Sequence, residues 1–202
     1  MVTNPPFSLF RPYIAQLVGY GKKFLILGNF NGVKFKEIFP LIKNNKLWLG
    51  CGQTSATWFQ VPEDTENQYA KYVDGKKMVP VKACWYTNLD HKKRHEFLTL
   101  TEKYDPAKYP KYDNYDAINV DKTVDIPKDW DDVMGVPITF LDKYNHEQFE
   151  IVGTTENGLC DKALWIHPEE KHNEPFIDGK KKYTRILIRR KPVGENADTP
   201  AA

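Results

Sequence analysis

The 202-residue sequence contains no apolar run near the ~20 residues that a membrane-spanning helix needs. Its three cysteines, Cys51, Cys84 and Cys160, include no C-x-x-C pair, which argues against a zinc finger and a disulfide scaffold. The opening residues MVTNPPFSLF lack the basic region and apolar stretch of a secretory signal peptide. These absences predict a soluble protein of a reducing compartment, and we expect a cytoplasmic location with no membrane partner.

An excess of charge of one sign is also missing, because 29 basic residues stand against 27 acidic ones, a formal net charge of +2. Such a balance gives no strong overall attraction for an anionic partner. Any affinity for nucleic acid must therefore come from local patches. Hydrophobic residues make up 41% of the chain, which is enough to build a packed core and excludes wholesale disorder.

Residues 1–100 alternate helical and extended patterns. Helical spacing of apolar residues is followed by the short apolar run KFLIL, which ends at Gly28-Asn29 and is typical of a buried strand. The same alternation continues as a predicted helix over residues 33–42 and predicted strands over residues 46–49 and 79–86. This βαβαβ order predicts an α/β domain with a parallel or mixed sheet.

The character of the sequence changes after about residue 100. Residues 101–132 hold nine acidic residues against five lysines, a net charge of −4, together with several prolines and tyrosines. Two extended patterns follow, VPITFL and QFEIVG, and Asp178-Gly179 between two extended runs predicts a hairpin. We expect residues 1–100 to form one domain, residues 101–191 an irregular, β-rich C-terminal region, and residues 192–202 a disordered tail.

Basic residues are concentrated in two short segments. The C-terminal segment carries one acidic residue, Asp178, and seven basic residues: Lys180, Lys181, Lys182, Arg185, Arg189, Arg190 and Lys191. The second segment is a run of three basic residues, Lys92, Lys93 and Arg94. Such clusters in a nearly neutral protein favour contact with the phosphates of DNA. A charged edge hairpin and a solvated basic face remain the alternatives.

No metal site is expected. His91 and His95 have a spacing that a helix could use to bind a cation, but the residues between them are Lys92, Lys93 and Arg94, which repel one. A solvated basic face therefore accounts for this segment better than a metal centre.

The tetrapeptide Asn4-Pro5-Pro6-Phe7 has the strongest link to chemistry. It follows a short extended segment and leads into a predicted helix, so it lies at the carboxyl edge of the predicted sheet, where ligands bind in α/β folds. The prolines stiffen the backbone, so the Asn4 amide oxygen and the Pro5 carbonyl can accept both hydrogens of an exocyclic amino group. The Phe7 ring can stack on a base that has left the duplex.

N-P-P-F followed by S-L-F-R, KFLILGN and KEIFPLIKNNKLWLG resembles the EcoRI-type adenine-specific DNA methyltransferases. The stretches CWYTNLDH, YDNYDAINVDKT, GVPITFLDKYNHEQFEIVG and FIDGKKKYTRILIRRK extend the resemblance to most of residues 1–191. The resemblance implies a methyltransferase of a restriction–modification system that uses S-adenosylmethionine to methylate adenine N6 in double-stranded DNA. It also implies that Asn4, Pro5, Pro6 and Phe7 are the catalytic residues.

The glycine-rich cofactor loop of such enzymes has no counterpart that we recognise in the sequence. Gly50-Cys51-Gly52 follows a predicted strand, but the third glycine is absent, and we interpret it as a turn. We therefore expect an incomplete Rossmann-like methyltransferase sheet and a partial enzyme whose cofactor-binding half is separate or missing. The alternatives are a non-catalytic DNA-binding remnant and a methyltransferase that acts on RNA or protein.

Overall fold

The computed structural model describes residues 1–51, 57–156, 158–167 and 174–192. The chain divides into two compact units, the first formed by residues 1–42 and 46–89, and the second by residues 43–45 and those from 90 onward. None of the helices in these described ranges is long and apolar enough to cross a membrane. From residue 193 the predicted disordered tail lies outside the described residues, and the predicted domain boundary at residue 100 stays a prediction.

The first unit contains more strand than helix. Its strands are β1 (Val2–Thr3), β2 (Leu25–Asn29), β3 (Trp48–Leu49), β4 (Thr57–Gln60), β5 (Lys71–Val73), β6 (Lys76–Val81) and β7 (Ala83–Thr87). Its helices are α1 (Phe10–Gly19), α2 (Phe39–Lys43) and the 3₁₀ turns Phe7–Leu9 and Phe30–Lys34.

Four of these strands form a mixed sheet in the order β1-β2-β7-β3. β1 runs parallel to β2, whereas β7 is antiparallel to both β2 and β3. Helix α1 buries Phe10, Ile14 and Leu17, whose spacing places them on one helical face. The prediction of a mixed α/β sheet is confirmed.

A second, three-stranded antiparallel sheet has the order β4-β6-β5. The predicted strand over residues 79–86 is in fact two strands, β6 and β7, that belong to different sheets. Between them the Lys82 carbonyl accepts a hydrogen bond from the Phe30 amide at 2.7 Å. The alternation of apolar residues along a strand is the same whichever strand pairs with it. The sequence pattern therefore could not reveal that the chain changes sheets between β6 and β7.

The prediction of one helix over residues 33–42 is wrong. A 3₁₀ turn ends at Lys34, the following Phe35 is extended at ψ 138°, and α2 begins only at Phe39. Pro40 is the second residue of α2, a position in the first turn where a helix tolerates proline because the missing amide hydrogen would have no partner within the helix.

The second unit contains six strands and several 3₁₀ turns within its described residues. The strands are β8 (Ile118–Asn119), β9 (Met134–Pro137), β10 (Phe149–Thr154), β11 (Phe176–Ile177), β12 (Lys180–Lys181) and β13 (Arg185–Arg190). The 3₁₀ turns are Lys92–His95, Thr123–Asp125, Ile138–Lys143 and Lys162–Leu164.

β10, β13, β9 and β8 form a four-stranded sheet in that order, and β11 pairs with β12. The Asp178-Gly179 hairpin is confirmed: both residues have positive φ, at 51° and 68°, as a two-residue turn between twisted strands requires. The predicted strand VPITFL ends early, at Pro137, and continues as a 3₁₀ turn. Proline lacks the amide hydrogen that would continue the ladder.

Candidate active site

Asn4 directly follows β1, as the sequence predicted. Val2 and Thr3 pair with Leu25 and Ile26 of the parallel strand β2, so the tetrapeptide leaves the sheet at the carboxyl end of two adjacent parallel strands. Open α/β sheets bind their ligands at this edge. The observed topology therefore places Asn4, Pro5, Pro6 and Phe7 where a substrate would be bound.

The two prolines fix the path of the backbone through this turn. Each residue that precedes a proline is held in an extended conformation, which applies to both Asn4 and Pro5. Pro6 has φ −53° and ψ 132°, and its carbonyl accepts a hydrogen bond from the Leu9 amide at 2.9 Å. The turn then continues without a break into α1, so Asn4 and Phe7 are held at a rigid joint between strand and helix.

Phe10 packs the start of α1 against the sheet. Its ring packs 4.7 Å from the ring of Tyr86, and it fills the space beside Gly28, where an added Cβ would lie only 2.6 Å from the ring. Gly28 is therefore required for the close approach of α1 to β2. The sequence marked Gly28 as the end of a strand but gave no sign of its ring contact.

The side chains of Asn4 and Phe7 are exposed to solvent. Asn4 is exposed, and Phe7 keeps 40% of its surface accessible although Phe10 in the next turn is buried. Among the described residues, none forms a hydrogen bond with the Asn4 side chain. Its amide oxygen is consequently available to accept a hydrogen bond from a ligand.

A buried tyrosine stabilises the neighbouring part of the same edge. The Tyr86 hydroxyl donates to the carbonyl of Asn29 at 2.8 Å, and the Asn29 side chain accepts from the Asn31 amide at 2.9 Å. Burial raises the pKa of Tyr86 well above its ordinary value, so the hydroxyl stays protonated as a donor. The roles of Tyr86 and Asn29 were not predicted from the sequence. The dipeptide Gly28-Asn29 after an apolar run is the one feature of the sequence that points to this position.

Two of the predicted DNA-contact residues lie in the interior of the second unit. Arg185 is 7% exposed and donates to Asn119 and Asp121, each at 3.2 Å. Arg94 is also buried, and it donates to Asp90 at 2.9 Å and to Asn45. Their burial does not fit a direct phosphate contact, and we correct both assignments to structural arginines.

Most of the other predicted basic residues have carboxylate partners. Arg190 pairs with Asp131, Arg189 lies 3.8 Å from Asp132, Lys93 lies 2.7 Å from Asp142, and Lys181 pairs with Glu174. Within the described residues, no ion pair involves Lys92, Lys180 or Lys182; the first two are exposed and the third is half-buried. These three lysines retain the properties that the prediction required.

His95 is held between two carboxylates. Its Nε2 lies 2.9 Å from Asp90 and its Nδ1 lies 3.2 Å from Glu147, and these hydrogen bonds raise the pKa of the imidazole. Asp90 and Glu147 therefore favour the protonated ring. Within the described parts of the chain, no group of three His, Cys, Asp or Glu residues could hold a metal ion.

Four glycines in or directly after strands do not form a cradle for a cofactor. They are approached closely by the chain itself: Gly28 by Phe10, Gly50 by Trp85, Gly135 by Tyr112 and Gly153 by Cys160. A glycine that binds a dinucleotide-like ligand must leave that space open. These four glycines thus do not fit the glycine-rich part of an S-adenosylmethionine site. Of Gly50-Cys51-Gly52, the last residue lies outside the described residues.

The fold and the site define an α/β protein with an Asn-Pro-Pro-Phe turn at the carboxyl edge of a mixed sheet. The chain belongs to the family described as adenine-specific methyltransferase EcoRI, whose sequence model matches residues 1–191. This membership confirms the resemblance found in the sequence. No solved structure matches the chain.

Three curated relatives are named as type II methyltransferases. M.EcoRI of Escherichia coli is 48% identical over 198 residues, which cover 95% of this chain and 57% of that protein. M.MgeORF184P of Mycoplasma genitalium is 37% identical, covering 96% of this chain and 65% of the relative, and M.MpnI of Mycoplasma pneumoniae is 35% identical, covering 95% and 64%. The chain therefore spans about three-fifths of the length of the relatives that it matches.

Proposed function

We propose that this chain supplies the catalytic segment of a DNA methyltransferase of a restriction–modification system, which methylates N6 of adenine in double-stranded DNA. The observation that carries the proposal is the exposed Asn4-Pro5-Pro6-Phe7 turn at the carboxyl edge of the sheet. The family description and the names of the three relatives support the same reaction class.

The chemistry required of the turn is orientation of a weak nucleophile. The lone pair of an adenine amino group is delocalised into the ring, so the nitrogen reacts poorly. In the proposed site the Asn4 amide oxygen and the Pro5 carbonyl accept its two hydrogens, which favours a pyramidal nitrogen with a localised lone pair. Phe7 stacks on the flipped base, and the rigid turn contributes by positioning.

The methyl donor implied by the family is S-adenosylmethionine. Because the space beside Gly28, Gly50, Gly135 and Gly153 is filled by the chain itself, we infer that a further segment supplies the glycine-rich loop. The outer edge of β1 supports this inference: β1 is an end strand of its described sheet, and Val2 is 70% exposed. An added strand there would extend this incomplete Rossmann-like sheet.

For DNA contact we propose the exposed or half-buried lysines Lys92, Lys180 and Lys182. A phosphate gains most from a cation that has no internal partner to give up. Arg189, Arg190, Lys93 and Lys181 would each have to leave a carboxylate first.

A non-catalytic DNA-binding remnant is the second candidate. The observation in its favour is that the described residues hold the proposed base-binding turn without a cofactor cradle. A remnant would bind DNA but would transfer no methyl group in any combination with a complementary segment.

Substitution of Asn4 tests the proposal. Methyl transfer from labelled S-adenosylmethionine to genomic DNA is measured with the chain alone and with the part of M.EcoRI that this chain lacks. Asn4→Ala should lower single-turnover methylation about a hundredfold or more, because a positioned hydrogen-bond partner of the reacting group is lost. DNA affinity should change little, since it depends mainly on phosphate contacts.

The controls separate chemistry from folding. Asn44→Ala removes another exposed asparagine and should leave the rate unchanged. Phe7→Trp should retain much of the activity that Phe7→Ala loses, because the proposed role needs only a flat ring. Near wild-type methylation by Asn4→Ala would reduce the tetrapeptide to a structural turn, and absence of transfer in every combination would favour the remnant.

A further inference from the structure

The three-stranded sheet β4-β6-β5 is attached to the edge of the larger sheet that carries Asn4. The chain leaves β3 at Gly50, whose amide bonds the Trp85 carbonyl at 2.8 Å, and it returns through β6 to Ala83, which pairs with Asn29 at the end of β2. β3 runs parallel to β2, because both are antiparallel to β7. Both connections therefore lie at the carboxyl edge, where inserted segments are placed to contact a substrate.

The two faces of this small sheet differ in what they bury. Met78 pairs with Gln60 on one side and with Lys71 on the other, so these three side chains share one face of the sheet. Because side chains alternate along a strand, Trp58 lies on the same face as Gln60. We call this surface the Trp58 face. None of these side chains is buried. The opposite face includes the buried Val79 and also the exposed rings of Phe59 and Tyr72. The Trp58 face is thus open to solvent, and the opposite face is buried only in part.

A lysine and an aromatic ring are in contact on this face. The Lys71 ammonium lies 3.8 Å from the centre of the Trp58 ring, at cation–π distance, while 38% of Trp58 remains exposed. The contact holds a positive charge beside a flat apolar surface. A nucleotide offers the complementary pair, an anionic phosphate and a flat base.

The charge on this face has one sign. Strands β4, β5 and β6 contain Lys71, Lys76 and Lys77 but no carboxylate, and Lys76 shares the face of Lys71 because it pairs with Val73. The acidic residues of this segment, Glu63, Asp64, Glu66 and Asp74, lie in its connecting loops.

Glu63 interacts with residues on the face opposite Trp58. It accepts a hydrogen bond from the Tyr72 hydroxyl, and its backbone carbonyl accepts one from Lys77. Tyr72 and Lys77 pair with each other on the face opposite Trp58. Glu63 is therefore held by the opposite face and does not neutralise Lys71 or Lys76.

We propose that the Trp58 face contacts the DNA substrate next to the adenine bound at Asn4. In this arrangement Trp58 stacks on an exposed base or sugar, and Lys71 and Lys76 bind phosphates. The inference rests on the proposed function for the identity of the substrate. A protein partner could cover the apolar residues, but Lys71 beside the ring and Lys76 on the same face fit a polyanion better.

Binding of the full-length chain to a mixed-sequence DNA duplex that carries one unpaired adenine tests this surface by fluorescence anisotropy at several salt concentrations. Trp58→Ala should weaken binding about five- to a hundredfold, which corresponds to the loss of one stacked base. Lys71→Ala should lower the slope of log affinity against log salt by about one, as expected for one lost phosphate contact. In lysine acetylation footprinting, DNA should protect Lys71 and Lys76.

Tyr20→Ala and Lys22→Ala are the matched controls. Tyr20 is 71% exposed, and both residues precede β2, so they lie at the opposite edge of the sheet. Neither substitution should alter DNA affinity, and DNA should not protect Lys22. Thermal melts of all variants show whether the fold is retained.

Wild-type DNA affinity in folded Trp58→Ala and Lys71→Ala, or equal acetylation of Lys71 and Lys22 in the presence of DNA, would overturn the inference. So would a wild-type chain that binds no DNA. The proposed reaction fails separately, in the methylation assay with Asn4→Ala. A chain that loses DNA affinity with Trp58 but methylates normally without Asn4 would retain the surface and lose the proposed chemistry.

Discussion

The tetrapeptide of the first unit and the basic residues of the second unit differ in exposure and in hydrogen-bond partners. Asn4 and Phe7 stay exposed at a rigid joint, with no hydrogen bond to the Asn4 side chain among the described residues. Arg94 and Arg185, by contrast, are buried against their own acidic and amide partners. A motif whose residues are adjacent keeps its local geometry, whereas a charge cluster depends on what the rest of the chain brings beside it.

The acidic segment after residue 100 explains the second case. Its net charge of −4 and the basic C-terminal segment look like separate features in the sequence. In the fold, Asp121, Asp131 and Asp132 pair with Arg185, Arg190 and Arg189 respectively. The two charge excesses therefore neutralise each other in part, and only their remainder can act on DNA.

Phe10→Ala should have the largest effect on stability. The substitution removes the ring that contacts Gly28 and Tyr86 and leaves a cavity. Loss of a buried phenylalanine costs about 3–5 kcal/mol of unfolding free energy. Chemical denaturation measures the change. Phe7→Ala is the control, because Phe7 is exposed, and it should cost less than about 1 kcal/mol. Equal losses in the two variants would contradict the distinction between anchor and binding surface.

Arg185→Ala should have the next largest effect. It removes one of the two donors to the Asn119 side-chain oxygen, the other being the Tyr112 hydroxyl, and it removes the pair with Asp121, for a loss of about 1–3 kcal/mol. Arg189→Ala, on the same strand but exposed, should change stability by only about 0.5 kcal/mol or less. A neutral Arg185→Ala substitution would return Arg185 to the set of possible DNA contacts.

The sequence allowed prediction of features that depend on neighbouring residues. The strand before Asn4, the helix after Phe7 and the Asp178-Gly179 hairpin are all found in the structure. Features that depend on distant residues could not be predicted. The pairing of Arg185 with Asp121 spans 64 positions, and the division of residues 79–86 between two sheets depends on which strands lie beside them.

Lys180 and Lys182 should matter more for DNA affinity than Arg189 and Arg190. The double substitution of the lysines to alanine should lower the slope of log affinity against log salt by about two. Substitution of the two arginines should have a smaller effect, because each phosphate contact that they form must replace an existing ion pair. The measurement is a DNA titration between low and moderate salt. A larger effect of the arginine pair would show that Asp131 and Asp132 release their partners readily.

His95 should give the smallest effect, visible as a dependence of stability on pH. Asp90 and Glu147 raise the pKa of His95, so the folded state binds a proton more tightly than the unfolded state does. Its contribution is complete below the unfolded pKa of about 6.5 and is lost as the pH rises through the higher folded value. Desolvation of the ring opposes protonation and lowers the pKa of His95, and solvent screening keeps the contribution small.

His95→Gln should therefore reduce the loss of stability between pH 6 and pH 8. The matched control is His91→Gln, because His91 directly precedes the 3₁₀ turn that ends at His95. Urea denaturation at both pH values gives the unfolding free energies to compare. If His95→Gln keeps the full wild-type pH dependence, the contacts with Asp90 and Glu147 do not bind the proton more tightly in the folded state, and this part of the second unit is only a solvated polar surface.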